Sequence, residues 1–565
     1  MIQLPELPAS AHGMMCQEAQ NKGGAMSIES GSSVMEVPVL ILGGGVVGLS
    51  AALFLLHQGI RPLLVERHPG TSIHPRSRGI NARTGELFRQ VGLFEEIRKA
   101  GAALQPAVGM YAGETLAKVV EPMPCRAPGD PQPHLGMGLE AITPSPTCRC
   151  TQDIMEPILR ARAVERGADV RFSTELESLE QDGDGVKATI VDRASGERLR
   201  VRAGYLIAAD GVKGATRARL GIGRTGRGVM GHLLNVLLRV ELEDLVRGRE
   251  LSMCLVENAH LRGLWVAIDN GARWALHIVY RPERGETPAD FPPERCVALA
   301  RHALGISGAE IEVLGILPWQ PSVQVAERFR EGRVFLAGDS AHEMPPWAGQ
   351  GANTGIAEVH NLAWKLAAVL RQQAKPRLLD TYERERRPIG RFAAECSARA
   401  GGRDGLIELA ADGRHPLASR GGFAAISGLG YAYGGGEEAR IVETFDAQPG
   451  TRAPHGWVEI GGERSSMLDL FGGGFVLITG PVESGAWRAG AEAVAARRGI
   501  KLRAVAVAEG AIGGAEAWAE QVRLEDRGAI LVRPDGYVAW RAERPTQEER
   551  GAERAIDAAV QECLE

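Results

Sequence analysis

An α/β chain in three parts is what the sequence predicts, on three observations. Val37-Pro-Val-Leu-Ile-Leu42, Val46 to Gln58 and Arg61-Pro-Leu-Leu-Val-Glu66 read as strand, helix and strand, a β-α-β unit that opens a parallel sheet. Between about 225 and 325, alternating stretches such as Arg273-Trp-Ala-Leu-His-Ile-Val-Tyr280 read as a half-exposed antiparallel sheet. After about Gly450 a separate pattern begins, with strands at Gly474-Phe-Val-Leu-Ile-Thr479, Leu502-Arg-Ala-Val-Ala-Val507 and Ala529-Ile-Leu-Val-Arg533. The Asp-Gly of Arg533-Pro-Asp-Gly-Tyr537 signals a hairpin turn there.

Residues 1–36 mix Pro, Ser, Gly, Gln and several Met, lack the basic start and apolar run of a signal peptide, and read as a disordered leader. The first strand runs into Gly43-Gly-Gly45-Val46-Val47-Gly48, which fits G-x-G-x-x-G. Its first glycine permits the turn, its second lets backbone approach a pyrophosphate, and its third lets strand and helix pack closely. Helix amides then face the phosphates, and Glu66 stands where a carboxylate would hold adenosine ribose hydroxyls. The motif points to dinucleotide binding without separating FAD from NAD.

Two later strands, Tyr205-Leu-Ile-Ala-Ala209 and Arg333-Val-Phe-Leu-Ala337, each lead to an Asp/Gly pair, Asp210-Gly211 and Gly338-Asp339. Both pairs therefore fall at carboxyl ends of strands, where open α/β sheets bind ligands. Asp339 could accept a hydrogen bond from a flavin ribityl chain. Gly349-Gln350-Gly351-Ala352-Asn353 opens a long helix read over Asn353 to Arg371, and a helix start aimed at a flavin pyrimidine would stabilise negative charge on the reduced ring. The division expected is 37–224 with 326–400 for FAD, 225–325 for substrate, 401–449 as a glycine-rich connection and 450–565 as the C-terminal domain.

A net charge of -5 and a pI near 6.3 exclude nucleic acid as the main partner. No apolar run approaches the ~20 residues of a membrane span, so the expected location is cytoplasmic. Eight cysteines are scattered, and the one close pair, Cys148 and Cys150, has no second Cys/His pair at ligand spacing. Free thiols and no metal are expected.

The glycine motif, Asp210-Gly211 and Gly338-Asp339 together resemble the three fingerprints of the class A flavoprotein monooxygenases. Ser72-Ile-His-Pro-Arg-Ser-Arg-Gly-Ile-Asn-Ala-Arg-Thr84, Pro345-Pro346 and Asn361-Leu-Ala-Trp-Lys365 add to the likeness, which is strongest to the phenol hydroxylase branch and its polycyclic polyketide hydroxylases. The resemblance implies a Rossmann-like FAD domain of the para-hydroxybenzoate hydroxylase type with an inserted substrate sheet and a thioredoxin-like C-terminal domain. That last domain has no C-x-x-C, its one cysteine being Cys563, so packing or dimer contact rather than disulfide exchange is expected of it.

Carried over residue by residue, the resemblance implies that Gly43, Gly45, Gly48 and Glu66 hold the ADP half, with Arg67 beside the adenine. Arg76 and Arg83 match arginines near the pyrophosphate or the substrate mouth, and Gln152 matches a glutamine touching the flavin chain. Asp210 matches an element linked to FAD and nicotinamide, Asp339 the ribityl ligand, Gly349 to Asn353 the loop along the flavin, and Pro346 a proline on its oxygen-reactive face. Phenol hydroxylase has an acidic residue where this chain has Arg78, so a carried-over general base is lost. Tyr280 is the tyrosine of the substrate sheet and His277, an odd number of residues away, faces the other side. An ordinary structural role competes with a substrate-side role for each.

The implied reaction has NADPH or NADH reduce FAD and O2 form a C4a-hydroperoxide that hydroxylates an aromatic, polycyclic polyketide-type substrate, in a monomer or homodimer. Met253, Leu255, Leu264, Trp265, Trp274 and Trp319 offer an apolar surface for such a ring system, while Arg262, Arg273 and Arg281 leave room for a carboxylate clamp. Baeyer–Villiger or other oxidative chemistry on the same substrates, or a non-catalytic ligand-binding flavin fold, stand as the alternatives.

Overall fold

The computed structural model describes residues 34–565 except 105–108, 128–138, 403, 409–421, 461, 483, 508–511, 514 and 545–549. Of the leader expected over 1–36, residues 1–33 lie outside the described residues, and the first strand starts at Met35, within that range.

Met35–Leu42 sits mid-sheet, flanked in parallel by Leu63–Val65 on one side and Arg198–Ala208 on the other. Asp169–Arg171 extends the parallel run beyond Leu63–Val65, and Val334–Leu336 extends it beyond Arg198–Ala208. Strands buried on both faces must be apolar throughout, and Val39 to Leu42 and Leu206 to Ala208 are. The register aligns Leu42 with Val65 and Ala208, and Ala208 with Leu336. The strands thus end at one level, and each motif that follows is delivered to the same edge of the sheet. The Val46–His57 and Gln350–Leu370 helices pack on each other across this core.

A second sheet has the order Glu312–Trp319, Leu233–Arg239, Arg273–Val279, Arg262–Ala267, Met253–Glu257 and Met110–Gly113. It is antiparallel but for its last strand, which enters from outside the expected 225–325 interval and runs parallel to Met253–Glu257. Side-chain alternation splits it into two faces. One packs Val236, Trp265, Trp274, Leu276 and Tyr280 against the Pro293–Leu304 helix; the other turns Leu233, Leu255, Leu264, Val266 and Ala275 toward Trp347 and the end of the Asp380–Arg399 helix.

In the C-terminal part, Phe475–Thr479 pairs in parallel with Leu502–Ala506 and antiparallel with Ala529–Val532, which turns back through the hairpin into Val538–Ala542. The turn is closed by Arg533 N–H and Tyr537 C=O at 2.8 Å, with Gly536 at φ +79. The Ser484–Arg498 and Gly551–Leu564 helices pack against each other. Phe475, Leu477 and Leu531 join the same hydrophobic cluster as the first sheet, Phe475 meeting Trp364 edge-on at 6.0 Å.

Candidate flavin and substrate site

The glycine turn follows from two close approaches. Gly43 adopts φ +104, and a Cβ there would lie 2.2 Å from the Ala209 carbonyl oxygen. A Cβ on Gly48 would lie 1.9 Å from the Gly43 carbonyl oxygen, so neither position accepts a side chain without moving backbone. Glu66 accepts hydrogen bonds from the Gly44 N–H (2.7 Å) and the His68 N–H (2.8 Å), which fixes its carboxylate at the mouth of the turn. A cleft of about 210 Å³ opens beside it, lined by Gly43, Glu66, Arg67, Asp210, Thr216 and others.

Asp210 bridges the ends of neighbouring strands. It accepts from the Thr216 hydroxyl (2.7 Å) and from the Ser340 hydroxyl (2.8 Å), while Ser340 accepts from the Gly211 N–H (3.0 Å). The two Asp/Gly pairs, 128 residues apart in sequence as counted from Asp210 to Gly338, are therefore one hydrogen-bonded unit.

Gly338, at φ +60, donates its N–H to Glu358 (2.9 Å) from the long helix, and the other oxygen of Glu358 meets His342 Nε2 at 2.8 Å. Burial opposes charging of His342, but the Glu358 carboxylate outweighs it and raises its pKa. Asp339 itself is exposed at the end of its strand. The protein surrounding it raises its carboxyl pKa, with His342 and Arg76 acting in the opposite sense. Gly351 in the first turn of the long helix lies beside it, a Cβ there falling 3.7 Å from Asp339 Oδ1.

Gly349 caps that helix at φ +62, so helix begins at Gln350, three residues before the expected Asn353. Asn353 donates to the Gly349 carbonyl (2.6 Å) and accepts from the Asn81 N–H (3.0 Å), holding the loop against the Ser72–Thr84 segment. Pro346 is exposed at the start of a one-turn helix, whereas its neighbour Trp347 is buried.

On the helix Gln152–Glu165, Gln152 donates to Glu156 (2.6 Å), whose second oxygen accepts from the Ser72 N–H (2.7 Å). Burial raises the Glu156 carboxyl pKa against these bonds. Glu156 and Glu358 belong to no motif and were missed in the sequence; their one signal is a carboxylate set in an otherwise buried helical stripe.

Arg83 donates to Glu86 (3.0 Å) and to the Asp535 carbonyl (2.9 Å) and lies over the Tyr537 ring, tied to the C-terminal hairpin, while it lines a small pocket with Gln350 and Asn353 of the flavin loop. Three other expectations need correction. Tyr280 sits on the sheet face turned away from the flavin domain, against Phe291 and His232, and burial raises its pKa. Trp265 and Trp274 share that outer face, which leaves Met253, Leu255, Leu264 and Trp319 from the expected apolar surface on the inner one. Of the arginines kept for a clamp, Arg262 is paired with Asp404 (2.5 Å) and Arg273 with Asp153 (2.7 Å). His277, not Tyr280, reaches the inner face, with Trp319 and Trp347 around it at 5.5 and 6.4 Å.

A glycine turn closed to a Cβ at Gly43 and Gly48, a carboxylate fixed at its mouth, an exposed Asp339 at the end of its strand and a capped helix start beside it fit FAD. Two family models agree with that geometry: an FAD binding domain matches residues 36–397, and the C-terminal domain of aromatic-ring hydroxylases matches 446–563. The chain belongs to the FAD-dependent aromatic-ring hydroxylases. Among its relatives, tetracenomycin A2 monooxygenase-dioxygenase of Streptomyces glaucescens is 40% identical, over 93% of this chain and 96% of that protein. Aklavinone 12-hydroxylase of Streptomyces purpurascens is 38% identical, over 90% of this chain and 96% of its own length. The solved structure of an aklavinone-11 hydroxylase with FAD and aklavinone superposes with a TM-score of 0.81 at 34% identity, over 94% of this chain and 99% of that one.

Proposed function

We propose that this FAD-dependent monooxygenase hydroxylates a polycyclic aromatic polyketide-type phenol, using NADPH or NADH and O2. The observation that carries the reading is the inner sheet face, where Leu255, Leu264, Val266, Trp319 and Trp347 form an apolar wall beside the flavin loop. A large planar ligand gains roughly 25 cal/mol for each Å² of apolar area buried on such a wall. The likeness to hydroxylases of tetracenomycin and aklavinone supports the same substrate class.

FAD, when bound, supplies the electron transfer and oxygen activation. The residues of this chain hold it and shape its surroundings. Gly43, Gly45 and Gly48, with the amides of Val46 and Val47, would receive the pyrophosphate, and Glu66 the ribose, with Arg67 at the adenine end. Arg76 and Gln152 would lie toward the middle of the cofactor, Asp339 would take the ribityl chain, and the Gly349-to-Asn353 loop would run along the ring. Asp210, fixed by Thr216 and Ser340, supports the turn from below. The apolar wall keeps water from the reacting face. With a single dinucleotide motif in the chain, the nicotinamide would use the surface of the flavin domain, and the cytoplasm would supply it.

Steady-state kinetics with a panel of phenols tests this. Tricyclic and tetracyclic phenols should exceed phenol or hydroxybenzoate in kcat/KM by at least about tenfold, or about 1.4 kcal/mol. A higher kcat/KM for phenol itself would overturn the substrate class, and a lactone product would replace hydroxylation by ring-oxygen insertion.

A further inference from the structure

Two arginines at the joint between flavin domain and substrate sheet are charged, largely enclosed and without a carboxylate. Arg78 immediately precedes, and Arg149 ends, the strands of the short antiparallel pair Gly79–Ile80 and Cys148–Arg149, where Gly79 is opposite Arg149. Arg78 donates to the carbonyls of Ser252 (3.2 Å) and Ala267 (3.1 Å) and to the Ser252 hydroxyl (3.3 Å). Arg149 donates to the carbonyls of Ala267 (3.2 Å) and Ile268 (3.1 Å), and its Nε has no hydrogen-bond partner among the described residues. Two guanidinium groups thus share one acceptor, the Ala267 carbonyl.

Among the described residues neither arginine has a salt bridge; the Asp269 charge acts on Arg149 without contact, its carboxylate accepting from the Gly271 and Arg273 N–H groups, and Asp153 is paired with Arg273. Burial and mutual repulsion lower the Arg78 pKa to about 9, and burial lowers that of Arg149 to about 10. Both shifts fit two enclosed cations that no carboxylate pairs among the described residues. His277, on the inner face, feels Arg78 as well and is held neutral, its pKa pushed down to about 3 by burial and by that charge; His74, held low by burial and Arg76, adds no negative charge. The pair can therefore accept an anion from a ligand, and the inner face is where the substrate rings would lie.

We infer that Arg78 and Arg149 form a binding site for an ionised oxygen of the substrate, a phenolate or the enolate oxygen of a quinone-type ring, with His277 as a neutral hydrogen-bonding neighbour. The inference rests on the substrate reading above. It gives the chain a way to raise the electron density of the ring without a general base: where phenol hydroxylase carries an acid to take a proton, this chain carries cations that stabilise the oxygen once the proton has left to solvent.

The test uses the FAD-loaded enzyme and alizarin, whose colour reports its ionisation, with 1,2-dimethoxyanthraquinone as the analogue that cannot ionise. Bound to the unaltered enzyme, alizarin should ionise at least about one pH unit lower than it does free. Arg78→Gln and Arg149→Gln should each weaken alizarin binding about tenfold or more while changing dimethoxyanthraquinone binding by less than about twofold. Alizarin that ionises on the enzyme as it does in solution overturns the assignment, and needs no variant to be seen; so do variants that keep full alizarin affinity. Failure of the unaltered enzyme to bind either compound is a separate outcome, which overturns the polycyclic substrate class and the anion site with it.

Discussion

Arg533, in the C-terminal hairpin, grips Glu385 of the Asp380–Arg399 helix with two parallel hydrogen bonds of 2.6 and 2.9 Å. Lys365 reaches the same carboxylate at 2.6 Å, and Asp535 accepts from Asn361 at 3.1 Å. All of these groups are withdrawn from water. Breaking such a pair from one side leaves a buried charge, so Arg533→Met should cost about 3–5 kcal/mol of stability. Denaturant unfolding of the purified holoenzyme measures it; a loss under about 1 kcal/mol would show that Lys365 alone satisfies Glu385.

The same cluster sets an acid limit. Burial disfavours the charged form of Glu385, but Arg533 and Lys365 more than compensate and hold its carboxyl far below the usual value of 4.5. Its folded pKa is depressed, so its contribution is complete above about pH 4.5 and is lost as pH falls toward the folded value. Melting temperature should decline below pH 4.5, and the decline should be shallower in Arg533→Met, which has already lost that contribution.

Asp339→Ala removes a charge-assisted acceptor for the ribityl chain and should weaken FAD binding by about 1.5–3 kcal/mol. Flavin fluorescence on dilution reads this directly. Unchanged retention would remove Asp339 from the ribityl assignment.

Gly48→Ala sets a Cβ 1.9 Å from the Gly43 carbonyl oxygen. The purified variant should be colourless, because the turn must open and the amides at the start of the Val46–His57 helix lose their aim. A yellow Gly48→Ala enzyme would mean that helix and strand separate without losing the phosphate site.

Cys563→Ser should leave turnover unchanged. The thiol is packed against the main core and burial raises its pKa to about 12, so little thiolate exists at neutral pH. Lost activity in a folded variant would reveal redox chemistry in the C-terminal domain.

The cofactor half of the site was legible because its signals are local: Gly43 to Gly48, Glu66, Asp210 and Asp339 each sit at a strand end, and strand register alone brings strand ends together. Tyr280 and His277 were separable by parity, but parity does not say which face meets the flavin; the Pro293–Leu304 helix decides that by covering Tyr280. Arg83 lies in a segment resembling flavin-contacting sequence, while its partners at Asp535 and Tyr537 are more than 450 residues away, beyond any periodic signal. Met110–Gly113 is too short for alternation to show. Arg78 read as the loss of a base until its proximity to Arg149, which no spacing encodes, gave it a second meaning.

The C-terminal part is packed against helices of the flavin domain, through Phe475 on Trp364, Arg83 at the Asp535 carbonyl and Arg452 on Glu86, and this bears on how such chains recombine. A crossover placed between 400 and 445 looks clean along the sequence, since it falls between the two family matches. In space it separates Glu86 from the Arg452 it pairs with, and Asn361 and Glu385 from the hairpin they hold. Exchange of substrate specificity among these enzymes is therefore expected to proceed by replacing strands of the inserted sheet, with both ends of the chain inherited together from one parent.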